Sequence, residues 1–178
     1  PEDMPRFIGH IKTDAARLVS LVSDIIRLSQ LDENTEMNWE NVDALSVAKE
    51  ALEMVGPIAE SRNISLTIKG EPAPLTSVHK LLYDIIYNLC DNAVKYNKEG
   101  GFVKVNVKTA GDKVQIAVSD NGVGIAPADQ SRVFERFYRV DKSHSRESGG
   151  TGLGLSIVKH AVAYLKGSIS LESTLGKG

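Results

Sequence analysis

A helical period of apolar positions runs through residues 6–31. Alternating three- and four-residue steps separate the members of one seam: Ile8, Ile11, Ala15, Leu18, Val22, Ile25 and Ser29. Further apolar residues widen this seam on both sides: Val19, Leu21, Ile26 and Leu28. So wide a stripe is typical of a helix that packs in a bundle. The pattern therefore predicts a bundle-type helix whose apolar face another helix or chain covers.

The rest of the chain alternates between helical and strand periods. Polar, aperiodic residues at 36–42 predict a linker, and Asp43 suits the N-cap of a second helix. Further helices are predicted over 75–97, 128–138 and 153–165. Alternation predicts strands at 64–68, a hairpin of 103–107 and 114–118 that turns at Gly111-Asp112, and a last strand from Ile169. Hairpin-linked strands with helices between them predict an α+β fold, a two-layer α/β sandwich with a mixed sheet.

Composition narrows the classes of function. The 178 residues are 42% hydrophobic and 25% charged, which is ordinary for a folded domain, and the net charge of −2 does not favour nucleic-acid or membrane-surface binding. The single cysteine, Cys90, excludes an internal disulfide and a cysteine metal cluster. No apolar run approaches the ~18–20 residues that span a bilayer. We expect a cytoplasmic piece of a longer protein, since both ends look cut.

One face of the helix predicted over 75–97 carries polar side chains at helical spacing. Asn88, Asp91, Asn92 and Lys95 occupy positions i, i+3, i+4 and i+7. Amide oxygens can ligate Mg²⁺ without adding negative charge beside phosphates, and a lysine can neutralise phosphate oxygens. Taken alone, the pattern fits a solvated helix face with a chance asparagine pair equally well.

Two glycine-containing segments suit a nucleotide. Asp120-Asn-Gly122-Val-Gly124 follows a strand, and a carboxylate beside closely approaching backbone suits a planar ligand with an exocyclic amine. A plain tight turn has the same composition. Residues 149–155, Gly-Gly-Thr-Gly-Leu-Gly-Leu, precede a helix, where backbone N–H groups can face phosphate. They match neither the dinucleotide fingerprint nor the P-loop.

The segment between these glycine motifs combines aromatic and basic residues. Phe134 and Phe137 are predicted to anchor the segment in the core, and Arg136 and Arg139 are placed to reach a terminal phosphate. The polar residues that follow, up to 148, predict a lid over the site.

Together these motifs resemble the nucleotide-binding boxes of sensor histidine kinases. Residues 88–96 resemble the N box, 120–124 the G1 box, 134–137 the F box and 150–155 the G2 box. Residues 17–31 resemble the second helix of the dimerisation and histidine-phosphotransfer domain. The resemblance implies part of that domain over 1–35 and an ATP-binding catalytic domain over 43–178, without its final strand. Its implied fold is the Bergerat fold shared with gyrase, Hsp90 and MutL.

The resemblance also implies roles for individual residues. Asn88 and Asn92 would hold Mg²⁺ and phosphates, with Asn92 the stronger candidate for the metal. Tyr96 would pack near the adenine, and Asp120 would accept a hydrogen bond from its amino group. The implied catalytic set is Asn88, Asn92, Lys95, Arg136 and Arg139. The implied ATP-binding set comprises Asn88, Asn92, Lys95, Tyr96, Asp120, Gly122, Gly124, Ile125, Phe134, Phe137, Gly150, Thr151, Gly152, Leu153, Gly154 and Leu155.

The four histidines, His10, His79, His144 and His160, all lack the sequence context of the family's phosphoacceptor. The expected function is therefore transfer of the γ-phosphoryl group of ATP to a histidine outside this chain, for relay to a response regulator. The expected partners are the dimerisation domain of a homodimeric, membrane-anchored parent and the receiver domain of that regulator. Two alternatives remain at this point: a nucleotide-binding assembly module without transfer, and a serine kinase on the same fold.

Overall fold

A long helix precedes a layered α/β unit in the computed structural model. The structure describes residues 4–33, 36–140 and 151–178. Its helices are α1 (Met4–Asp32), α2 (Ala44–Ser61), α3 (His79–Lys95), α4 (Pro127–Gln130) and α5 (Gly154–Tyr164). Its strands are β1 (Glu40–Asp43), β2 (Ser65–Gly70), β3 (Pro74–Ser77), β4 (Phe102–Ala110) and β5 (Lys113–Asp120).

The strands form two sheets. In the larger one the order is β2-β4-β5, with β2 parallel to β4 and β4 antiparallel to β5. Strands β1 and β3 form a separate antiparallel pair, in which Val42 lies opposite Leu75. The mixed sheet and its β4–β5 hairpin, which turns at Gly111 with a φ of +65°, confirm the predicted α+β class and hairpin.

The main core lies between the mixed sheet and the helices α2 and α3. Residues alternate along β4, so that Val103, Val105 and Val107 are buried in this core. The helices contribute a second set of buried side chains: Ala48, Ala51, Leu52 and Val55 from α2, and Leu82, Ile86, Cys90, Ala93 and Val94 from α3. Burial raises the pKa of the Cys90 thiol to about 12. One face of α3 is therefore committed to the core, which leaves its opposite face for other roles.

Asp43 ends β1 and caps α2, as its N-cap prediction requires. Its carboxylate accepts hydrogen bonds from the N–H of Leu45 at 3.4 Å, and from the N–H and hydroxyl of Ser46 at 3.2 and 2.8 Å. It also accepts the Ala73 N–H at 2.6 Å, which ties the loop before β3 to the helix start. The Ser46 hydroxyl bond is the largest cause that lowers the pKa of Asp43, and the backbone bonds add to it.

Helix α1 confirms the helix predicted at 6–31, and its C-terminal part packs on the α/β unit. Leu28 is buried with Leu153 and Ile157 at the start of α5. Leu31 is buried in a cluster with Val78, the residue before α3, and with residues of α3 and α5: Leu81, Ile85, Val158 and Ala161. Other apolar positions of α1 are 46% to 67% exposed: Met4, Phe7, Ile8, Ile11, Leu18, Val19, Val22, Ile25 and Ile26. That exposed stripe fits the predicted seam, and its packing in a bundle stays a prediction.

The predicted helix over 75–97 begins too early. Residues 74–77 instead form β3, and α3 starts at His79. The partner strand β1 overlaps the segment predicted as a linker at 36–42, since it spans Glu40–Asp43. Pairing between segments more than thirty positions apart leaves no signal in a local hydrophobic period, so both strands were missed.

Two further predicted elements differ from the structure. The helix predicted over 128–138 is helical only at Pro127–Gln130, and turns follow it. Phe137 has a φ of +63°, a left-handed conformation that a continuing helix does not allow. The strand predicted from Ile169 is absent among the described residues 151–178, and the segment joins neither sheet.

Replacing Asp43 by alanine should lower the free energy of unfolding by about 1–2 kcal/mol, because the cap of α2 is lost. Asp43→Asn keeps an accepting oxygen and should lose less, which chemical denaturation at neutral pH measures. The folded pKa of Asp43 lies below its ordinary value of 3.8, so its contribution is present above that value and is lost as the pH falls through the folded pKa. A difference in unfolding free energy between the wild type and Asp43→Ala that stays constant into strong acid would contradict this assignment.

Candidate functional site

The exposed face of α3 carries the polar residues that the sequence places there. Asn88 Nδ2 donates to the carbonyl of Asp84 at 2.7 Å, so its Oδ1 is the amide atom turned toward the neighbouring segment. Lys95 Nζ donates to Asp91 Oδ2 at 2.6 Å, an ion pair one turn apart. Asn88, Asn92 and Lys95 are all partly exposed. This face therefore presents amide groups beside a lysine whose charge a carboxylate compensates.

Gly154 brings the start of α5 against these asparagines. A Cβ on Gly154 would lie 2.8 Å from Asn88 Oδ1 and 3.9 Å from Asn92 Nδ2. A side chain at position 154 would therefore press on the Asn88 amide, and glycine allows the close approach. The structure thus brings the predicted N-box asparagines and one G2-box glycine together, although they are separated by some sixty residues of sequence.

The Asp120 loop rests on the C-terminal end of α3. Asp120 Oδ1 accepts the Gly122 N–H at 2.8 Å, and the Val123 N–H donates to the Tyr96 carbonyl at 3.1 Å. A Cβ on Gly122 would overlap that carbonyl oxygen, so the loop can sit this close only with glycine at 122. Gly124, with a φ of +66°, then directs the chain toward the C-terminal segment. The predicted G1 residues and Tyr96 are therefore neighbours.

The C-terminal segment holds the other side of this loop. The Ile125 N–H donates to Ser173 Oγ at 2.8 Å, and the Gly176 N–H donates to the Val123 carbonyl at 2.7 Å. Gln130 Nε2 donates to the carbonyls of Ile125 and Ser173 at 3.0 and 2.9 Å. Ser173 and Gln130 were missed by the sequence reasoning, because no local pattern links positions 43 to 48 residues apart.

A pair of asparagines supports the loop from the β4 side. Asn97 is 4% exposed, and its Nδ2 donates to the Phe102 carbonyl at 3.0 Å. The Phe102 N–H in turn donates to Asn121 Oδ1 at 2.7 Å. Asn121 is the residue next to Asp120, so this relay connects the end of α3 with the loop. The sequence reasoning missed Asn97; the signal available was an asparagine directly after a helix and before a glycine pair.

Phe137 and Gly152 form a backbone junction between the F-box and G2-box segments. The Phe137 N–H donates to the Gly152 carbonyl at 3.0 Å, and a Cβ on Gly152 would lie 3.1 Å from Phe137 Cα. The prediction that Phe137 anchors its segment in the core is wrong, because the residue is 60% exposed at a left-handed turn. Phe134 is half-buried.

Arg136 contacts α1. Its Nη2 donates to both carboxylate oxygens of Asp32, at 3.0 and 2.7 Å, and lies 3.1 Å from His160 Nε2. His160 Nδ1 lies 2.7 Å from the Ser156 carbonyl, so this nitrogen is the donor of that hydrogen bond. The structure thus joins Arg136 to α1 and not to the asparagine face. Residues 132–139 form a turn that carries Arg132, Arg136 and Arg139, here called the arginine turn. These three arginines line a cavity of about 390 Å³.

Helix α1 also contacts the glycine segment and α3. Thr151 Oγ1 donates to Asp24 Oδ2 at 2.8 Å and accepts the Leu153 N–H at 3.3 Å. Arg27 Nη1 lies 3.5 Å from Oδ1 of the buried Asp84 on α3. Burial raises the pKa of Asp84, and the Arg27 guanidinium opposes part of that rise. Two acidic residues of α1 thus bind groups that the sequence assigned to ATP, namely Thr151 and Arg136.

The remaining predicted site residues lie at the start of α5 or outside the described ranges. Leu153 is buried, and Leu155 is half-buried in the first turn of α5. Gly150 and the lid predicted up to residue 148 fall mostly within 141–150, outside the described residues. Within the described ranges, no cluster of three or more His, Cys, Asp or Glu is arranged to hold a metal ion. No helix in those ranges has the length and apolar character needed to cross a membrane.

Comparison with known proteins identifies the family. Residues 77–178 match the family model described as histidine kinase-, DNA gyrase B- and HSP90-like ATPase. The chain belongs to this family. The matched region includes α3, the Asp120 loop and the glycine segment that packs against Asn88, which is the part of the molecule where the predicted boxes meet.

The relatives are sensor histidine kinases. The chain is 39% identical to the sensor-like histidine kinase SenX3 of Mycolicibacterium smegmatis over 180 residues, which is 100% of this chain and 47% of the relative. It is 34% identical to CpxA of Escherichia coli, over 94% of this chain and 36% of that protein. The crystal structure of full-length ShkA in complex with AMPPNP matches with a TM-score of 0.84 at 27% identity, over 98% of this chain and 37% of that one. The chain spans less than half of these proteins. The matches confirm the resemblance and the Bergerat fold.

Gly122→Ala should displace the Asp120 loop, because the new Cβ overlaps the Tyr96 carbonyl. We expect a loss of about 1–3 kcal/mol in unfolding free energy, typical of overpacking, and faster hydrogen exchange of the Val123 amide. Gly56→Ala on α2 is the matched control, since its Cβ meets no atom within 4 Å and alanine is the better helix former. Equal exchange rates in the two variants would contradict the described seating of the loop.

Proposed function

We propose that this chain is the ATP-binding catalytic portion of a sensor histidine kinase. It supplies the γ-phosphoryl group of ATP to a histidine of the parent protein's dimerisation domain, for relay to a response regulator. The observation that carries the proposal is the convergence of Gly154 on Asn88 and Asn92, beside a loop that seats Asp120 on the end of the same helix. The names of SenX3, a sensor-like histidine kinase, and CpxA, a sensor histidine kinase, support the same interpretation.

The Asp120 carboxylate is suited to adenine. Its Oδ1 already accepts the Gly122 N–H, so Oδ2 is the oxygen assigned to the exocyclic amino group of the base. Guanine carries a carbonyl oxygen at the corresponding position, and two acceptors facing each other are unfavourable. Tyr96 is 45% exposed beside this loop and offers an aromatic surface to the base. The pair of residues would therefore select ATP over GTP.

The asparagine face is suited to Mg²⁺ and phosphates. Amide oxygens are hard, neutral ligands, and Asn88 Oδ1 is oriented for such contact because its Nδ2 is held by the Asp84 carbonyl. Asn92, with Asn88 second, would hold the metal, which when bound neutralises charge on the phosphate oxygens. Lys95 would exchange its Asp91 partner for phosphate, and Gly152 and Gly154 would let backbone N–H groups at the start of α5 approach it.

Transfer to histidine then depends on positioning and on charge neutralisation. Asp32 competes with phosphate for Arg136, since both carboxylate oxygens of Asp32 accept from its Nη2. Among the described histidine side chains, His79 lies 3.4 Å from Glu50 and His160 is held between Ser156 and Arg136. Because all four histidines of the chain lack the sequence context of the family's phosphoacceptor, we assign that role to a histidine of the parent protein outside this chain.

A nucleotide-binding assembly module without transfer is the second candidate. The exposed apolar stripe of α1 favours an assembly role, because such surfaces mark interaction sites. The two functions separate in the full-length parent. ATP binding with formation of an acid-labile phosphohistidine supports the kinase, whereas ATP binding without it supports the assembly module.

Asp120→Asn should weaken ATP binding at least about tenfold, because a carboxylate acceptor is replaced by an amide that can present a donor to the adenine amino group. Calorimetric titration of the chain with ATP and Mg²⁺ measures the change, and circular dichroism checks the fold. Asp112→Asn, at the exposed β4–β5 turn, is the control for removal of one negative charge. Undiminished affinity in Asp120→Asn would remove Asp120 from the adenine site.

A further inference from the structure

Arg62 reaches from the end of α2 to the end of α3. Its Nη1 donates to the Val94 carbonyl and, at 2.8 Å, to the Lys95 carbonyl. Its Nη2 donates to the Asn97 carbonyl, also at 2.8 Å. One guanidinium therefore serves three carbonyls within four consecutive residues. The sequence motifs give Arg62 no role, because it lies some sixty residues before the Asp120 loop.

The end of a helix needs such a partner. The last carbonyls of an α-helix lack intrahelical donors, and the helix dipole concentrates partial negative charge there. A planar guanidinium can donate to several carbonyls at once and stays charged at any pH compatible with the fold, whereas a lysine ammonium is a point charge without that fork. The contacts of Arg62 thus fix the path of the chain as it leaves α3.

Two connections lead from this clamp to the Asp120 loop. Tyr96 lies between the clamped carbonyls of Lys95 and Asn97, and its own carbonyl accepts the Val123 N–H at 3.1 Å. The second connection starts at the buried Asn97 side chain and reaches Asn121 through both backbone groups of Phe102. The two connections end at Asn121 and Val123, directly after Asp120 and on either side of Gly122, so displacement of the end of α3 displaces the loop at two points.

We propose that Arg62 is a positioning residue of the nucleotide site. It clamps the C-terminal end of α3 and thereby holds the Asp120 loop in the geometry that reads the base. Arg62 itself does not contact the base. The inference rests on the proposed function in one respect, namely that Asp120 is the residue that accepts from adenine.

The test compares Arg62→Gln and Arg62→Lys with Val55→Ala in the full chain. Val55 is fully buried in α2, so its truncation destabilises the core without touching the clamp. Calorimetry gives the affinities for ATP and GTP, and hydrogen exchange in the nucleotide-free protein gives the opening of the Val123 amide. We expect Arg62→Gln to bind ATP about tenfold more weakly, to lose most of its preference for ATP over GTP, and to exchange the Val123 amide faster. Arg62→Lys should show a smaller loss of ATP affinity and of ATP preference than Arg62→Gln, and a smaller increase in Val123 exchange.

Val55→Ala should lower the melting temperature yet keep the ATP preference, which separates positioning from general destabilisation. The inference is overturned if Arg62→Gln retains wild-type affinity and preference, or if Val55→Ala loses the preference to the same degree. Failure of the wild-type chain to bind ATP would instead overturn the proposed function. In that case Val123 exchange still decides the clamp: faster exchange in Arg62→Gln than in Val55→Ala supports it, and equal exchange refutes it.

Discussion

Helix α3 faces two environments, and the rest of the structure depends on that division. Ile86, Cys90 and Val94 are buried between α2 and the mixed sheet, while Asn88 and Asn92 remain on the outer face. Because an α-helix of 17 residues is rigid, core packing on one face of α3 fixes the spacing of the amides on the other. The same packing fixes where the helix ends, and that end carries the Asp120 loop. Site geometry is thus a consequence of core packing.

Contacts from α1 determine which polar groups near the site already have partners. Asp24 binds Thr151 and Asp32 binds Arg136, so acidic side chains of the helix occupy groups that a phosphate chain would also attract. Leu28 and Leu31 supply the apolar part of the same contact. Exposed ion pairs contribute little stability, about 0–1 kcal/mol each, and burial of these leucines therefore contributes most to docking. The exposed Asp32–Arg136 pair is therefore weak enough to exchange for phosphate.

Local patterns predicted the elements whose signals are local. The α2 cap at Asp43, the β4–β5 hairpin and α5 are each predicted by residues that lie close together in the chain, and the structure confirms them. The β1–β3 pair was missed because its two strands meet only in the folded chain. The helix predicted over 128–138 ends at Gln130 and turns follow it, one of which is left-handed at Phe137, whose N–H is bonded to Gly152. The motifs located Asn88, Asp120 and Gly154. Arg62 and Ser173 contact backbone groups more than thirty residues away, which local patterns do not encode, and Asn97 and Gln130 lie outside the motifs.

A crystal structure of the chain with a non-hydrolysable ATP analogue and Mg²⁺ tests the central claim most directly, namely that α3 organises one nucleotide site from its asparagine face to its C-terminal loop. The account predicts the adenine amino group within hydrogen-bonding distance of the Asp120 carboxylate, and the metal and phosphates between Asn92, Asn88 and the start of α5. A nucleotide seated instead in the cavity of the arginine turn, away from Asp120 and the asparagines, would contradict it.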